Sequence, residues 1–254
     1  MKPWRLQDLT LNETRKTKYD VAILPIGSTE AHGHHVPYGS DAIHSTAIAE
    51  RVCSQVWQNR GTVLLLPTIS YGVQGNTMGF PLTINVQQSV LDAFVTDIVT
   101  SLEHHGIRKL LIINGHGGND FKPLLRSLFG RTKVFVSVAD WWKVGNDKRT
   151  DIFENTGEHA DELETSVNLA LVGDLVHLER AGSGQTSHSR FEAINKGWVS
   201  IARPWHRFTK DSTAGNPRLA TKEKGEAYLK IVVDRLAEYV LQLGRSKLDR
   251  QFPY

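Results

Sequence analysis

Four short apolar stretches constrain the fold more than any other feature: VAILPIG at 21–27, TVLLLP at 62–67, LLIING at 110–115 and KVFVSVA at 133–139. They run continuously instead of alternating with polar residues, and they are rich in β-branched side chains. Each therefore suits a strand covered on both faces, as in a parallel sheet. Helical spacing fills the gaps between them. DAIHSTAIAERVCSQVWQNRG repeats Ile43, Ala47, Ile48, Val52 and Val56, and Gly61 closes it. QQSVLDAFVTDIVTSLEHHG places Val90, Leu91, Phe94, Val95, Ile98 and Leu102 on one stripe, with Gly106 in the stop position. A last helix runs from 221 to about 243 on Tyr228, Leu229, Val232, Val233, Leu236 and Val240. Strands alternating with helices predict a three-layer α/β/α sandwich with a mostly parallel central sheet. No repeat or low-complexity tract interrupts the pattern, so residues 1–254 read as one domain.

Composition narrows the function classes. A formal charge of +3 over 254 residues, with no block of like charges, gives no electrostatic footprint for nucleic acid. The one cysteine, Cys53, leaves no internal disulfide and no cysteine-rich zinc module, and it falls on a helix face expected to be buried. No run of eighteen apolar residues occurs, and the first twenty residues lack the apolar centre of a secretory leader. The expectation is a cytoplasmic enzyme with no membrane contact. Residues 181–218 are polar, dotted with glycine and carry two tryptophans, a length and composition typical of a functional loop or a partner-contacting arm.

In open parallel sheets, ligands bind beyond the carboxyl ends of the strands. The first apolar run leads directly into GSTEAHGHHVPYGSD, and the third leads into GHGGND. A further polar cluster, GEHADELETS, precedes the apolar VNLALV. In an extended segment Glu30 and His32 point the same way, about 6–7 Å apart. Asp41 opens the next helix, where it serves equally as an N-cap. His116 stands in a glycine-rich strand-end turn that also suits a structural histidine. With a helix beginning near Ala160, His159 sits just before it and Glu164 falls in its second turn, and an acidic helix start is also what the helix dipole alone would favour. Three such clusters at strand ends point jointly to a metal site. Oxygen and nitrogen donors without thiolate favour zinc, manganese or iron(II).

These segments resemble the creatininase family of metal-dependent amidohydrolases, whose pattern is approximately GSxEQHGxHLPxxTD, NGHGGN and HAGxxETS. Here they stand in the same order as GSTEAHGHHVPYGSD, NGHGGN and HADELETS, with further likeness at MGFPLTI (78–84) and AGNPRLATKEKGEAYL near the end. The resemblance implies two divalent metal ions, zinc first, with manganese or iron as alternatives. Glu30 and His116 would hold one ion, His32 the other, and Asp41 would bridge them. Gly118 stands where creatininase itself has a glutamate, so Glu164 is expected to complete the second site, with Glu162 as fallback. Leu82 and Asp161 stand where many members carry glycine.

By the same resemblance, metal-activated water would hydrolyse a small cyclic amide or formamide C–N bond, and His159 would pass the proton to the leaving nitrogen. His35 would brace a ligand from behind, as would Glu162. Trp141, or its neighbour Trp142, would wall the substrate together with the Gly117 and Gly118 backbone. His44 reads as a surface or packing residue. Members commonly form hexamers, so a homo-oligomer is expected, with Trp198 and Trp205 available for its contacts. The competing expectations are a peptidase of the mycofactocin-precursor type and a non-catalytic binding protein on the same fold.

Overall fold

The computed structural model of the chain describes residues 2–254. Among them, four strands form one parallel sheet in the order β2-β1-β3-β4: β1 (Val21–Ile26), β2 (Val63–Leu65), β3 (Lys109–Asn114) and β4 (Phe135–Asp140). The five longer helices are α1 (Ser40–Gln58), α2 (Gln88–His104), α3 (Lys122–Leu128), α4 (Glu162–Val172) and α5 (Lys222–Arg245). No described helix is long and apolar enough to cross a membrane.

The continuous apolar runs are explained by two cores, one on each face of the sheet. Val21 and Ile23 of β1 join Leu111 and Ile113 of β3 against α1, α4 and α5. Ala22, Leu24 and Ile26 face the other way, with Leu110 and Ile112, onto α2 and α3. Strand residues alternate between these cores, so both parities must be apolar. The result is the three-layer arrangement expected from the sequence. Cys53 is buried in the first core.

One detail differs from the sequence pattern. On α2 the buried stripe is Leu91, Val95, Val99 and Leu102, while Val90 and Phe94 are more than half exposed. The pattern was too wide because α2 covers only one face of the sheet. Of the two readings of His44, surface or packing, the structure shows packing: it is fully buried in α1, edge-on to Trp141 at 5.2 Å.

The chain starts at a central strand, steps outward to β2 through α1 on one face, and returns to β3 past α2 on the other. The carboxyl ends of β1 and β3 are therefore adjacent, with Ile26 opposite Asn114. This is the point where the strand order reverses and a crevice opens.

Candidate active site

Glycines at the ends of both central strands let α1 close down on that crevice. A Cβ on Gly27 would lie 2.4 Å from the Ala42 nitrogen, and one on Gly115 would lie 2.4 Å from the Asp41 carbonyl oxygen. Neither contact is sterically possible, so only glycine lets the first turn of α1 carry Asp41 over the sheet edge. Asp41 does not cap the helix through its side chain; it sits inside the first turn and points its carboxylate into the crevice.

Three imidazoles converge there, and each has one nitrogen tied to a backbone carbonyl. A carbonyl oxygen only accepts, so the tied nitrogen carries the proton. His32 donates from Nδ1 to the Glu30 carbonyl at 3.2 Å, leaving Nε2 3.0 Å from Asp41 Oδ1. His116 donates from Nε2 to the Val73 carbonyl at 3.0 Å, and its Nδ1 lies 3.0 Å from Glu30 Oε1 and 3.1 Å from Asp41 Oδ2. His159 donates from Nε2 to the Ala31 carbonyl at 2.9 Å, with Nδ1 3.9 Å from Glu30 Oε1. Metal-ligating histidines show this anchoring, which fixes ring orientation and tautomer.

Glu164, in the first turn of α4, reaches the same point. Its Oε2 accepts from the Ala160 amide at 2.6 Å and lies 4.0 Å from His32 Nε2. Ala160 adopts a left-handed φ of 46°, an uncommon conformation for a residue with a Cβ, which turns its amide toward that carboxylate. Thus Glu30, Asp41 and His116 form one compact donor group, and Glu30, His32 and His159 form another.

The electrostatics follow from this crowding. Burial works against a charged His32, yet the Asp41 carboxylate beside it pushes its pKa up to about 10. His116 is likewise raised, with Glu30 and Asp41 overcoming its burial. Burial pushes the Glu164 carboxyl up to about 8, and it lowers His159. Both Glu30 carboxylate oxygens are buried without an aligned hydrogen-bond donor. An orphaned buried carboxylate is costly unless a cation compensates it. The site could hold one or two divalent ions of the kind that accept oxygen and imidazole donors.

Asn114 braces the GHGGN turn, donating to the His116 carbonyl at 2.9 Å and to Asp140 Oδ1 at 2.8 Å. A Cβ on Gly118 would lie 2.3 Å from both His116 Nε2 and the Val73 oxygen. The glutamate of creatininase therefore has no room here in the present conformation.

Of the donors, Glu30, Asp41, His116, His159 and Glu164 line a cavity of about 480 Å³, bounded also by Thr77, Gly117, Gly118, Trp142, Arg203 and Trp205. Several expected roles change. Trp141 is fully buried among Tyr228, His44 and the first core, so Trp142 forms the aromatic wall in its place. Glu162 turns away from the crevice: its carboxylate accepts from Lys224 Nζ at 2.6 Å and from the Asn155 amide at 2.8 Å. It neither replaces Glu164 nor backs a ligand. His35 bonds through Nε2 to Thr165 Oγ1 at 2.9 Å, bracing α4 instead of a donor residue, and burial lowers its pKa to about 4.

The 181–218 segment closes over the site. Trp205 is 8% exposed and packs against His159, whereas Trp198 is 75% exposed. Trp205 is thus not free for subunit contacts, and no periodicity in the sequence marked it. His34 is exposed, consistent with a loop residue.

The creatinine amidohydrolase family model matches residues 7–240. The chain belongs to the creatininase family. Creatinine amidohydrolase of Pseudomonas putida is 29% identical over 87% of this chain and 88% of its own. The 3-dehydro-scyllo-inosose hydrolase of Thermotoga maritima is 27% identical over 97% and 84%. The mycofactocin precursor peptide peptidase of Mycobacterium ulcerans is 28% identical over 84% and 81%. Among solved structures, a Bacteroides fragilis protein described as a creatinine amidohydrolase superposes with a TM-score of 0.91 at 34% identity, covering 98% of this chain and 99% of that one. Creatininase structures similar to this chain include a Zn–Zn form and an Mn form, with TM-scores of 0.80 and 0.78.

Proposed function

We propose that this creatininase-family hydrolase cleaves a small cyclic amide or a formamide at its C–N bond. The observation that carries the reading is the shared anchoring of His32, His116 and His159 around the unsatisfied Glu30 carboxylate. Glu30, His116 and Asp41 would hold one divalent ion, and His32, Asp41 and Glu164 a second, with zinc first and manganese or iron(II) as alternatives. Ions held there make water nucleophilic at neutral pH and polarise the substrate carbonyl.

The protein's own groups do the rest. His159 has Nε2 committed to the Ala31 carbonyl, so Nδ1 is the nitrogen that takes a proton and returns it to the leaving nitrogen. Burial lowers the pKa of this imidazole and so favours the neutral form, the one able to accept a proton. Trp142 and the open backbone at Gly117 wall the substrate. By family likeness the protein would work in the cytoplasm as a homohexamer, which light scattering checks.

A peptide substrate is the second reading. Arg203 lines both the donor cavity and a neighbouring one of about 400 Å³, which gives a longer chain somewhere to lie. The test is metal content per chain by elemental analysis, paired with turnover of creatinine, formamides and short peptides. Two ions and amide turnover support the proposal, and peptide turnover alone favours the second reading. Failure to bind zinc, manganese or iron(II) would sink both and leave a binding protein on this fold.

A further inference from the structure

His159 makes one hydrogen bond through its ring, from Nε2 to Ala31. One bond is a hinge, about which an imidazole can swing. What stops the swing is the packing of two neighbouring rings against it. The His32 ring lies at 4.2 Å between centroids, and the Trp205 indole lies at 5.0 Å, edge-on at 66°.

Trp205 is itself fixed at several points. Its backbone amide donates to the Asn76 carbonyl at 3.0 Å. The Arg203 guanidinium sits 4.9 Å over its ring and 4.0 Å over that of Phe208. The same guanidinium makes a two-pronged bond to Glu158 at 2.9 and 3.0 Å, and Glu158 is the residue before His159. Indole and imidazole are therefore joined twice, directly and through Arg203–Glu158. Ser212, from the same segment, donates to the Ala31 carbonyl that also receives His159 Nε2–H.

We propose that Trp205 is a positioning residue: it holds the His159 ring in its working orientation and shields it from bulk water, making the 181–218 segment part of the reaction site. This rests on the assignment of His159 as proton carrier above. The physical reason is that proton transfer depends on reach. Displacing a reacting group by about 1 Å can cost about 10²-fold in rate even when binding is intact. Within the cluster the Trp205 ring stacks on His159, which the proposed function leaves outside the metal-holding set, so its loss should act on turnover and not on metal content.

The test uses full-length Trp205→Ala and Trp205→Phe, compared with the parent for metal per chain, kcat and KM on the best amide substrate. Trp205→Ala should lose about 10- to 100-fold in kcat, with KM within about threefold and metal retained. Trp205→Phe keeps a ring at that place and should recover most of the loss. An unchanged kcat in Trp205→Ala, or a loss that phenylalanine does not restore, overturns the proposal. If the parent hydrolyses none of the amides, the hydrolase reading fails separately, and the His159 ring signals in histidine-labelled protein decide the positioning claim. They should be displaced from random-coil positions in the parent and in Trp205→Phe, and move toward them in Trp205→Ala; identical spectra overturn it.

Discussion

Gly115 approaches Asp41 so closely that a Cβ on the glycine would stand 2.4 Å from the Asp41 carbonyl oxygen and 3.2 Å from that of Ile26. Both obstacles are backbone, one at the start of α1 and one at the end of β1, so neither can rotate away. Gly115→Ala should push α1 off the sheet edge. Overpacking of this kind costs about 1–3 kcal/mol, and it should also displace the Asp41 carboxylate from His32 and His116. The expected outcome is a lower urea midpoint together with loss of bound metal. A variant that keeps full metal content would show that Asp41 is positioned by something other than this contact.

His159 stands close enough to Glu30 and His32 to be a ligand as well as a proton carrier. Its longer reach of 3.9 Å to Glu30, against 3.0 Å for His116, favours the second role. His159→Ala should retain its metal and lose about 10²–10⁴-fold in turnover, the usual worth of general acid–base help. Elemental analysis decides the matter, since loss of an ion would make His159 a ligand.

The sheet and its helices were legible in the sequence because both parities of each strand must be apolar when both faces are covered. The donors Glu30, His32, Asp41 and His116 were legible because they cluster at the ends of two adjacent strands. Trp141 and Glu162 were misplaced for a common reason: sequence neighbours at an element's start face different ways. Trp142 and Glu164 point into the cavity, while Trp141 and Glu162 point into protein. Leu82, noted for standing where relatives carry glycine, adopts φ 56°, the region that glycine enters without cost. Trp205 left no local signal, since its neighbour across the fold, His159, is far away in the chain.

His44 is buried with neither ring nitrogen hydrogen-bonded, and burial lowers its pKa to about 4. Unfolded histidine titrates near 6.5, so between about pH 6.5 and 4 the unfolded chain binds a proton that the folded chain refuses. Stability should therefore fall as pH drops through that window, by up to about 3 kcal/mol from this residue. His35, also lowered to about 4, adds to the same slope. His32 and His116 are raised, so their contribution is fully present below pH 6.5 and is lost only at higher pH. The Glu164 carboxyl, raised to about 8, runs the opposite way down to about pH 4.5, so the His44 share is read as the difference between the parent and a His44 variant. His44→Leu removes the orphaned nitrogens and should flatten the dependence between pH 7 and 4.5. Urea midpoints at the two values read this out, and an equal slope in both proteins would contradict it.

Glu162 is the sharpest test of which glutamate serves the crevice. Its fully buried carboxylate takes the Asn155 amide, the Asn155 side chain at 3.0 Å and the Lys224 ammonium at 2.6 Å. Lys224 joins it from the first turn of α5, so the carboxylate pins that turn and the loop before α4 together. Glu162→Ala strands a partly buried amide, although Lys224 keeps Glu154 and the Leu219 carbonyl. A loss of about 1–3 kcal/mol is expected, the cost of leaving a buried donor unmet. Glu164→Ala should behave in the opposite way. It removes the carboxylate nearest His32 and should lower metal content with a smaller effect on the urea midpoint, because burial already disfavours its charged form. Measuring metal per chain and unfolding in the two variants side by side separates the roles. Metal loss in Glu162→Ala with none in Glu164→Ala would reverse the assignment.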